Sequence, residues 1–333
     1  RPHNLRRTTM VKAVRIHEYG GTDALVIDDI DISEPGAGEA LVRHTAIGLN
    51  FIDTYHRTGL YKLPELPHTL GVEGSGVVEA IGDGVTDVAV GDRVAYGGGI
   101  GSYCERRVMA ANRLVKLPDT ISDEQGAAMM LQGMTARYLV RRTHPVKAGE
   151  TILVHAAAGG VGLILCQWAK HLGATVIGTV SSDEKAELAR NHGCDHPIIY
   201  TRENFLDRVR EITDGKGLPV VYDSIGKDTW EDSLNCLHPL GMMVSFGNAS
   251  GPVPPFPLLT LSQKGSLFVT RPTLIHYVAA REDLLVAATD LFDVVSKGVV
   301  KIEINQRYGL DEAAHAHGEL EARRTTGSSI LMP

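Results

Sequence analysis

The pattern of apolar and polar positions divides the chain into two stretches of different texture. From Met10 to about Lys116, short apolar and β-branched segments such as Ala40–Ala46 and Gly76–Gly82 follow one another at close spacing. Many short strands separated by glycine turns indicate a small, partly open β-barrel. The turns are predicted at Gly20-Gly21, Pro35-Gly36, Gly91-Asp92 and Gly97-Gly98-Gly99.

After about Gly133, strand-like and helix-like segments alternate. Thr151–Ala156 is apolar and ends at glycines, and Gly162–Leu172 has a helical pattern that stops at Gly173. Ser182 is a candidate cap for a helix that runs through Arg190. Such alternation is typical of an α/β fold with a doubly wound parallel sheet. The other predicted strands are Ala174–Val180, Pro219–Tyr222, Met242–Phe246 and Ser266–Thr270.

The last part of the chain closes this series with two helices and a strand. The helices are predicted at Arg281–Lys297 and Glu312–Arg323, and the strand at Ser328–Met332. Since 333 residues exceed what one core usually serves, we expect two domains. The predicted catalytic domain comprises residues 10–133 and 272–333, and the predicted dinucleotide-binding domain comprises residues 134–271.

Residues 1–9 precede Met10 and are basic, with no acidic side chain. We expect an extension that is disordered. The alternative is the end of an organelle-targeting segment, which would also be basic and poor in acidic residues.

Composition narrows the range of partners and locations. The 33 Lys and Arg against 40 Asp and Glu give a net charge of −7, which argues against nucleic acid as a partner. No stretch is apolar for long enough to cross a membrane. The four cysteines form no Cys-x-x-Cys pair, which favours free thiols in a reducing compartment. We therefore expect a cytoplasmic protein.

The strongest local motif lies at the turn after Thr151–Ala156. It aligns Ala157, Gly159 and Gly162 with the G-x-G-x-x-G fingerprint, with Gly160 and Val161 between the last two. Gly159 would let a pyrophosphate approach the backbone, and Gly162 would let the helix pack closely on the strand. Ala157 departs from the usual first glycine. The alternative is an ordinary glycine-rich turn without a ligand.

The residues about 20 positions after Gly159 favour NADPH over NADH. An acidic side chain there would bind the ribose 2′-hydroxyl, but the sequence has Thr179-Val180-Ser181. Lys185 and Ser181 can instead bind a 2′-phosphate. Asp183 and Glu184 would repel the phosphate if they faced it, and Lys185 is alternatively a solvated helix lysine.

The sequence contains no motif that indicates a metal site or a hydrolase. The histidines are scattered, and His315 and His317 lie on different faces of a predicted helix. We expect no bound metal. No G-x-S-x-G elbow or phosphate-binding Walker loop occurs.

Several stretches together make the chain resemble the zinc-free NADPH:quinone oxidoreductase (zeta-crystallin-like) family of the medium-chain dehydrogenase/reductase superfamily. The resemblance covers nearly everything from Met10 to Pro333. The stretches that carry it are residues 49–61 (LNFIDTYHRTGLY), 71–76 (GVEGSG), 156–162 (AAAGGVG), 221–226 (VYDSIG), 244–248 (VSFGN) and 326–329 (TGSS).

The resemblance implies a GroES-like catalytic domain and a Rossmann domain, with the active site in the cleft between them. It puts Asn50 and Val72 where zinc-dependent relatives carry metal ligands. It implies that Tyr55 and Tyr61 line the acceptor pocket, where Asn50, Tyr55 and Tyr61 are candidate hydrogen-bond donors to the developing oxyanion. The cofactor residues that it implies or that the motifs indicate are Thr135, Ala157, Gly159, Gly160, Val161, Gly162, Ser181, Lys185, Tyr200, Ser224, Phe246, Asn248, Arg271 and Arg323.

Each of these roles has an alternative. Tyr55 and Tyr61 could be core aromatics, Arg323 a solvated charge, and Phe246 sheet core whose backbone alone contacts the cofactor. His56 departs from the aliphatic residue of the family, and a histidine there could titrate near neutral pH.

The predicted function is NADPH-dependent quinone reduction without a metal, by direct hydride transfer in a ternary complex. The first alternative is NADPH-dependent reduction of the double bond of enals or enones. An alternative of another class is a crystallin-like or RNA-binding protein that holds NADPH with little catalysis. The resemblance also implies a homodimer that pairs through the edge strand Gly265–Thr270.

Overall fold

The computed structural model describes residues 9–333, so residues 1–8 of the predicted extension lie outside the described part. Thr9, the last residue of that predicted extension, is the first residue of a strand. The chain divides into two compact units. Unit 1 holds the described residues up to Leu131, with Val278–Phe292 and Ile304–Pro333, and unit 2 holds Gln132–Tyr277 and Asp293–Glu303.

Unit 1 is built mainly from short strands, as the spacing of its apolar segments predicts. Its strands are β1 (Thr9–Ile16), β2 (Leu25–Ile32), β3 (Glu39–Leu49), β4 (His68–Thr69), β5 (Glu73–Ile81), β6 (Arg93–Gly97), β7 (Arg106–Ala110), β8 (Val115–Lys116), β15 (Ile304–Gly309) and β16 (Ser328–Met332). Its helices are α1 (Phe51–Thr58), the first part of α2 (Asp123–Tyr138), most of α9 (Arg281–Ser296) and α10 (Ala313–Glu321).

Two sheets organise unit 1. A seven-stranded sheet has the order β15-β16-β3-β5-β6-β8, with β7 also paired to β3, and a three-stranded sheet has the order β2-β1-β4. In β3 buried and half-buried residues alternate over most of the strand, because one face packs on the core and the other does not. One core cluster includes Ile47, Leu49 and Leu331, and a second includes Val42, Val78 and Val94.

Unit 2 has the predicted alternation of strands and helices. Its strands are β9 (Thr151–Val154), β10 (Thr175–Val180), β11 (His196–Ile199), β12 (Leu218–Asp223), β13 (Leu237–Ser245) and β14 (Phe268–Thr270). After the end of α2 and a π-helical turn at Leu139–Thr143, its helices are α3 (Gly160–His171), α4 (Asp183–Asn191), α5 (Phe205–Ile212), α6 (Trp230–Asn235), α7 (Leu259–Gln263) and α8 (Leu274–Tyr277).

The sheet of unit 2 is parallel throughout and has the order β11-β10-β9-β12-β13-β14. The order reverses between β9 and β12, which makes the carboxyl ends of these strands the usual ligand-binding edge of such a sheet. Apolar residues such as Leu153, Ile177 and Val221 are fully buried, because helices cover the sheet. No helix among the described residues is long and apolar enough to span a membrane.

Candidate active site

The glycine-rich turn joins β9 to α3 at the carboxyl edge of the sheet in unit 2. The Ala157 N–H donates to the Thr179 carbonyl at 3.0 Å, which ties the turn to β10. Ala156 has a left-handed φ of 53°, a conformation that non-glycine residues rarely adopt and that concentrates at functional turns. Gly159 caps α3, so the first N–H groups of this helix, including that of Val161, lie at the turn.

A side chain would meet different neighbours at each of the three glycines of the turn. A Cβ at Gly162 would lie 2.1 Å from the Ala156 carbonyl oxygen, and one at Gly160 would lie 2.3 Å from the Gln132 side chain. A Cβ at Gly159 would have only the Ala156 oxygen within 4 Å among the described residues, at 3.3 Å. Gly162 is therefore needed for packing, a side chain at Gly160 would displace that of Gln132, and Gly159 leaves room for a ligand.

Three of the predicted cofactor residues meet where β10 passes into α4. Ser181 follows β10, and its carbonyl accepts from the Thr201 hydroxyl at 3.0 Å. The Tyr200 N–H donates to the Val180 carbonyl at 3.0 Å. The Lys185 N–H donates to the Ser182 hydroxyl at 3.3 Å, which caps α4 as predicted. Ser181, Lys185 and Tyr200 are thus brought together in unit 2.

The acidic residue that sequence analysis marked as a possible obstacle is already paired. Arg202 donates to both carboxylate oxygens of Asp183, at 2.8 and 2.6 Å. This arginine holds the pKa of Asp183 below its usual range, and both side chains are exposed. Because the pair is neutral as a whole, Asp183 opposes an anion less than its sequence position suggests. Arg323 lies in unit 1, after α10, with a left-handed φ of 59°.

A second group of predicted cofactor residues lies at the carboxyl ends of β12 and β13. The Phe246 N–H donates to the Asp223 carbonyl at 2.8 Å, and the Ala249 N–H donates to the Ser224 carbonyl at 3.1 Å. These bonds hold Ser224, Phe246 and Asn248 in adjoining loops. Phe246 is half-buried, so its side chain is not fully sheet core.

A buried polar cluster supports these loops, and sequence analysis missed it. The Asp223 carboxylate accepts from the backbone N–H groups of Ile225 and Gly226 and from the Thr229 and Ser233 hydroxyls. His155 bridges Thr179 and Ser233 at 2.8 Å on each side. Burial lowers the pKa of His155, with Asp223 acting against it. The signal in the sequence was a polar residue directly after each of two apolar strand segments.

Thr135 and Arg271 both lie near one buried tyrosine. The ring of Tyr138 stacks on Tyr277 with centroids 4.2 Å apart. Burial and Tyr277 raise the pKa of Tyr138, while the charge of Arg271 and a hydrogen bond with Thr135 act in the opposite direction. Arg271 also donates to the Pro272 carbonyl at 3.0 Å.

In unit 1, Asn50 is held by two buried carboxyl groups. Asn50 precedes α1, and its backbone N–H donates to Asp53 Oδ2 at 2.8 Å. Its Nδ2 donates to Glu73 Oε2 at 2.7 Å. Burial raises the pKa of Asp53 to about 7 and that of Glu73 to about 8, although hydrogen bonds from Asn50 act against both shifts. Sequence analysis did not select either acid.

Tyr55 and Tyr61, which the resemblance assigns to the acceptor pocket, are neighbours. Their rings meet edge to face with centroids 5.2 Å apart, and the Tyr61 N–H donates to the Tyr55 carbonyl at 3.1 Å. Tyr55 is buried and Tyr61 half-buried. The ring of His56 lies 6.0 Å from that of Tyr61. Burial lowers the pKa of His56 to about 4. The expectation from the sequence that this histidine could titrate near neutral pH is therefore wrong.

Behind Asp53, a chain of buried groups leads to a partly exposed ion pair. Arg57 pairs with Glu321 at 2.7 Å and also donates to His317 Nδ1 at 3.0 Å. Burial lowers the pKa of His317 to about 3, so its ring is neutral and its proton must sit on Nε2, facing Tyr103 Oη at 3.0 Å. The Tyr103 hydroxyl then donates to Asp53 Oδ2 at 2.9 Å. From Arg57 through His317 and Tyr103, each hydrogen bond is therefore donated in the direction of Asp53.

Two domain families match the chain. Residues 36–119 match the alcohol dehydrogenase GroES-like domain, and residues 160–283 match the zinc-binding dehydrogenase family. The chain is 58% identical over 325 residues to a quinone oxidoreductase of Pseudomonas aeruginosa, with 97% of this chain and 100% of that protein covered.

The chain belongs to the quinone oxidoreductase family. This family lies in the medium-chain dehydrogenase/reductase superfamily, as the sequence predicted. The fold agrees with a solved member, the Escherichia coli quinone oxidoreductase complexed with NADPH, at a TM-score of 0.95 and 47% identity, covering 97% of this chain and 100% of that one. A 2-haloacrylate reductase of Burkholderia is also 47% identical, over 97% of this chain and 99% of that protein.

The name of the second matching family refers to zinc binding, so we looked at the side chains that could bind a metal ion. Residues 9–333 contain no group of three or more His, Cys, Asp and Glu side chains that could hold a metal ion. In this member of the quinone oxidoreductase family, the Asn50 carboxamide is hydrogen-bonded to Glu73, and Val72 next to it is buried.

Proposed function

We propose that this protein is an NADPH-dependent quinone reductase that works without a metal ion. The observation that carries the proposal is similarity along nearly the whole chain to proteins named quinone oxidoreductase, at 58% and 50% identity. Such coverage includes both the glycine-rich turn of unit 2 and the Asn50 region of unit 1. We assign unit 1 as the catalytic domain and unit 2 as the dinucleotide-binding domain.

The assignment of NADPH rests on the residues around α4. Lys185 supplies a positive charge and Ser181 a hydroxyl close to the carboxyl end of β10, where the ribose lies in such folds. Asp183 is neutralised by Arg202. A solved neighbour at 47% identity is the complex of a quinone oxidoreductase with NADPH. On the resemblance to the family, we also assign Tyr200 and Arg323 to the binding of NADPH.

The remaining cofactor residues are proposed in order along the dinucleotide. The turn from Ala157 to Gly162 would receive the pyrophosphate, since N–H groups and the positive end of the α3 dipole lie there. The nicotinamide half would contact the loops after β12 and β13 and the surroundings of Tyr138. The residues that we assign there are Thr135, Ser224, Phe246, Asn248 and Arg271.

The catalytic residues would act by polarisation and exclusion of water. When bound, NADPH supplies the hydride. Asn50, Tyr55 and Tyr61 would donate hydrogen bonds to the acceptor oxygen as its negative charge grows. Because Tyr55 and Asn50 are buried, these bonds would be stronger than the same bonds in water.

One specific observation favours a second activity, reduction of a carbon–carbon double bond. A protein named 2-haloacrylate reductase is as similar to this chain, at 47% identity, as the quinone oxidoreductase 1 of Escherichia coli. An acrylate has a double bond conjugated to a carboxylate, and hydride addition to it also creates an oxyanion. The same three donors would serve both reactions.

Assembly and location are proposed on narrower grounds. A homodimer would pair through β14, which forms one edge of the parallel sheet. The four free, buried cysteines favour a reducing compartment, and therefore the cytoplasm. The net charge of −7 argues against binding of nucleic acid.

The test is NADPH consumption by the purified protein with an ortho-quinone, a para-quinone, an alkenal and 2-chloroacrylate, each against a blank without enzyme. We expect turnover with at least one quinone, in a sample that elemental analysis finds free of zinc. Turnover of the alkenal or the acrylate alone would reassign the protein to double-bond reduction. NADPH binding without any turnover would favour the crystallin-like binding protein.

A further inference from the structure

The side chain of Glu73 faces donors on both of its oxygens. It is the first residue of β5 and is 0% exposed. Oε2 accepts from Asn50 Nδ2 at 2.7 Å, and Oε1 accepts from the Leu131 N–H at 2.8 Å. The Met130 N–H also contributes. The carboxylate therefore connects the start of α1 with α2, through groups that can only donate to it.

The space around this carboxylate is closed. A Cβ at Gly48 of β3 would lie 2.4 Å from Glu73 Oε2 and 2.4 Å from the Ala127 carbonyl oxygen. The backbone of α2 holds the other oxygen. The carboxylate consequently has one position, set by main-chain groups, and Asn50 is the partner that must adapt to it.

We propose that Glu73 is a positioning residue, which fixes the direction in which the Asn50 carboxamide faces. A carboxamide is planar, so a hydrogen bond at one Nδ2 hydrogen fixes the directions of the second N–H and of Oδ1. Glu73 thereby sets the donor that Asn50 offers to the acceptor. The inference rests on the proposed function for the role of Asn50 in turnover, but not for the geometry.

Stability alone gives a poor account of a carboxyl group at this position. Burial raises the pKa of Glu73 to about 8, with the Asn50 hydrogen bond acting against the shift, so the buried charge is costly. A neutral side chain would fill the same volume at lower cost. The ionised carboxylate accepts on both sides, which a neutral amide cannot do and a fixed Asn50 requires. Turnover is therefore compared above pH 8, where Glu73 is ionised.

The decisive change is Glu73→Gln, which keeps the shape and replaces one acceptor by a donor. The backbone N–H of Leu131 holds the remaining acceptor, so the new Nε2 faces Asn50 Nδ2 and turns that carboxamide around. We expect quinone turnover to fall by about 10²-fold, the effect of a lost or misplaced oxyanion donor, with little change in NADPH affinity. Glu79→Gln is the matched control, since Glu79 lies on the same strand and binds Arg43 and Arg106 instead.

A double-mutant cycle with Asn50→Ala separates positioning from structural support. If Glu73 acts through Asn50, adding Glu73→Gln to Asn50→Ala lowers kcat no further. A further loss of similar size in the double variant would overturn the proposal. If Glu73→Gln does not fold, Glu73→Asp takes its place in the cycle, with the same expected non-additivity.

The second measurement does not require turnover. In protein labelled with ¹⁵N-asparagine, the side-chain amide signal of Asn50, assigned by its loss in Asn50→Ala, should shift in Glu73→Gln and stay in place in Glu79→Gln. An unmoved signal in Glu73→Gln would contradict the proposal. Wild-type protein that reduces no quinone would end the proposed function, while this signal would still decide whether Glu73 positions Asn50.

Discussion

At the scale of single residues, we assign the choice between NADPH and NADH to the charges around α4. Four charged residues lie within or beside its first turn and the facing loop: Asp183, Glu184, Lys185 and Arg202. Arg202 pairs with Asp183 through two hydrogen bonds and neutralises its negative charge. Since this pair is exposed, its contribution to stability is small, and its main effect is electrostatic.

We predict that Lys185→Ala weakens NADPH binding by roughly 10- to 100-fold and leaves NADH binding unchanged, because a charge-assisted bond to phosphate contributes about 1.5–3 kcal/mol. Titration of cofactor fluorescence measures both affinities. Lys170→Ala is the control, since Lys170 is a lysine of the same unit that pairs with Asp195. Equal losses for NADPH and NADH would remove the 2′-phosphate assignment.

At the scale of elements, the βα turn of unit 2 is constrained by contact between helix and strand. Gly162 lies in the first turn of α3, where its Cα faces the Ala156 carbonyl and the Ala157 backbone. A side chain there can be accommodated only if main-chain atoms move. The proposed pyrophosphate site and the packing of α3 on β9 therefore depend on the same glycine.

We predict that Gly162→Ala lowers both thermal stability and NADPH affinity, because the added Cβ would lie 2.1 Å from a backbone oxygen. Gly318→Ala in α10 is the matched control, since a Cβ there meets nothing within 4 Å among the described residues. That control should gain up to about 1 kcal/mol from helix propensity. Equal melting temperatures for Gly162→Ala and the wild type would contradict the steric argument.

Secondary-structure elements with local sequence signals could be predicted, and contacts between distant residues could not. The glycine motif, the Ser182 cap and five strands of the parallel sheet were predicted, because each is encoded locally. Helix α2 was missed, although Ser122 and Gln125 exchange the two hydrogen bonds of a capping box at its start. The connection of Asp53 with Tyr103 and His317 could not be predicted, because these residues are far apart in sequence and meet only through the fold.

At the scale of the whole molecule, buried titratable groups make stability depend on pH in two opposite directions. Burial lowers the pKa of His44 to about 4 and that of His317 to about 3, so their contribution to stability is lost as the pH falls below about 6.5. Burial raises the pKa of Asp53 to about 7 and that of Glu73 to about 8. Their contribution is present at low pH and is lost as the pH rises through those values.

We therefore predict that the free energy of unfolding falls as the pH rises from about 6.5 to about 8 and levels off above that, by up to about 1.4 kcal/mol per pH unit for each acid that keeps its proton only in the folded state. Urea denaturation at several pH values measures it. Glu73→Gln should make the fall shallower, because glutamine does not titrate, whereas Glu79→Gln should keep the wild-type slope. A stability that is constant over this range would mean that both acids are already ionised in the folded protein.

The proposed homodimer concerns the whole molecule, and we place it at the edge of the parallel sheet. Among the described residues, β14 pairs with β13 alone, so the other side of β14 can accept a further strand. Phe268 on this strand is 57% exposed. Leu240, whose N–H donates to the Gly265 carbonyl, is more exposed still, and so are Leu258 and Leu259, which precede the strand in the chain. An apolar edge of this kind promotes pairing with another chain.

We predict that Phe268→Asp converts a homodimer into monomers, because the new charges would face each other across paired β14 strands and lose water. Size-exclusion chromatography with light scattering measures the mass. Val90→Asp in unit 1 is the control, since Val90 is equally exposed and lies on another surface segment. A wild-type protein that is already monomeric would remove the dimer, and a dimer that survives Phe268→Asp would move the interface to another face of the chain.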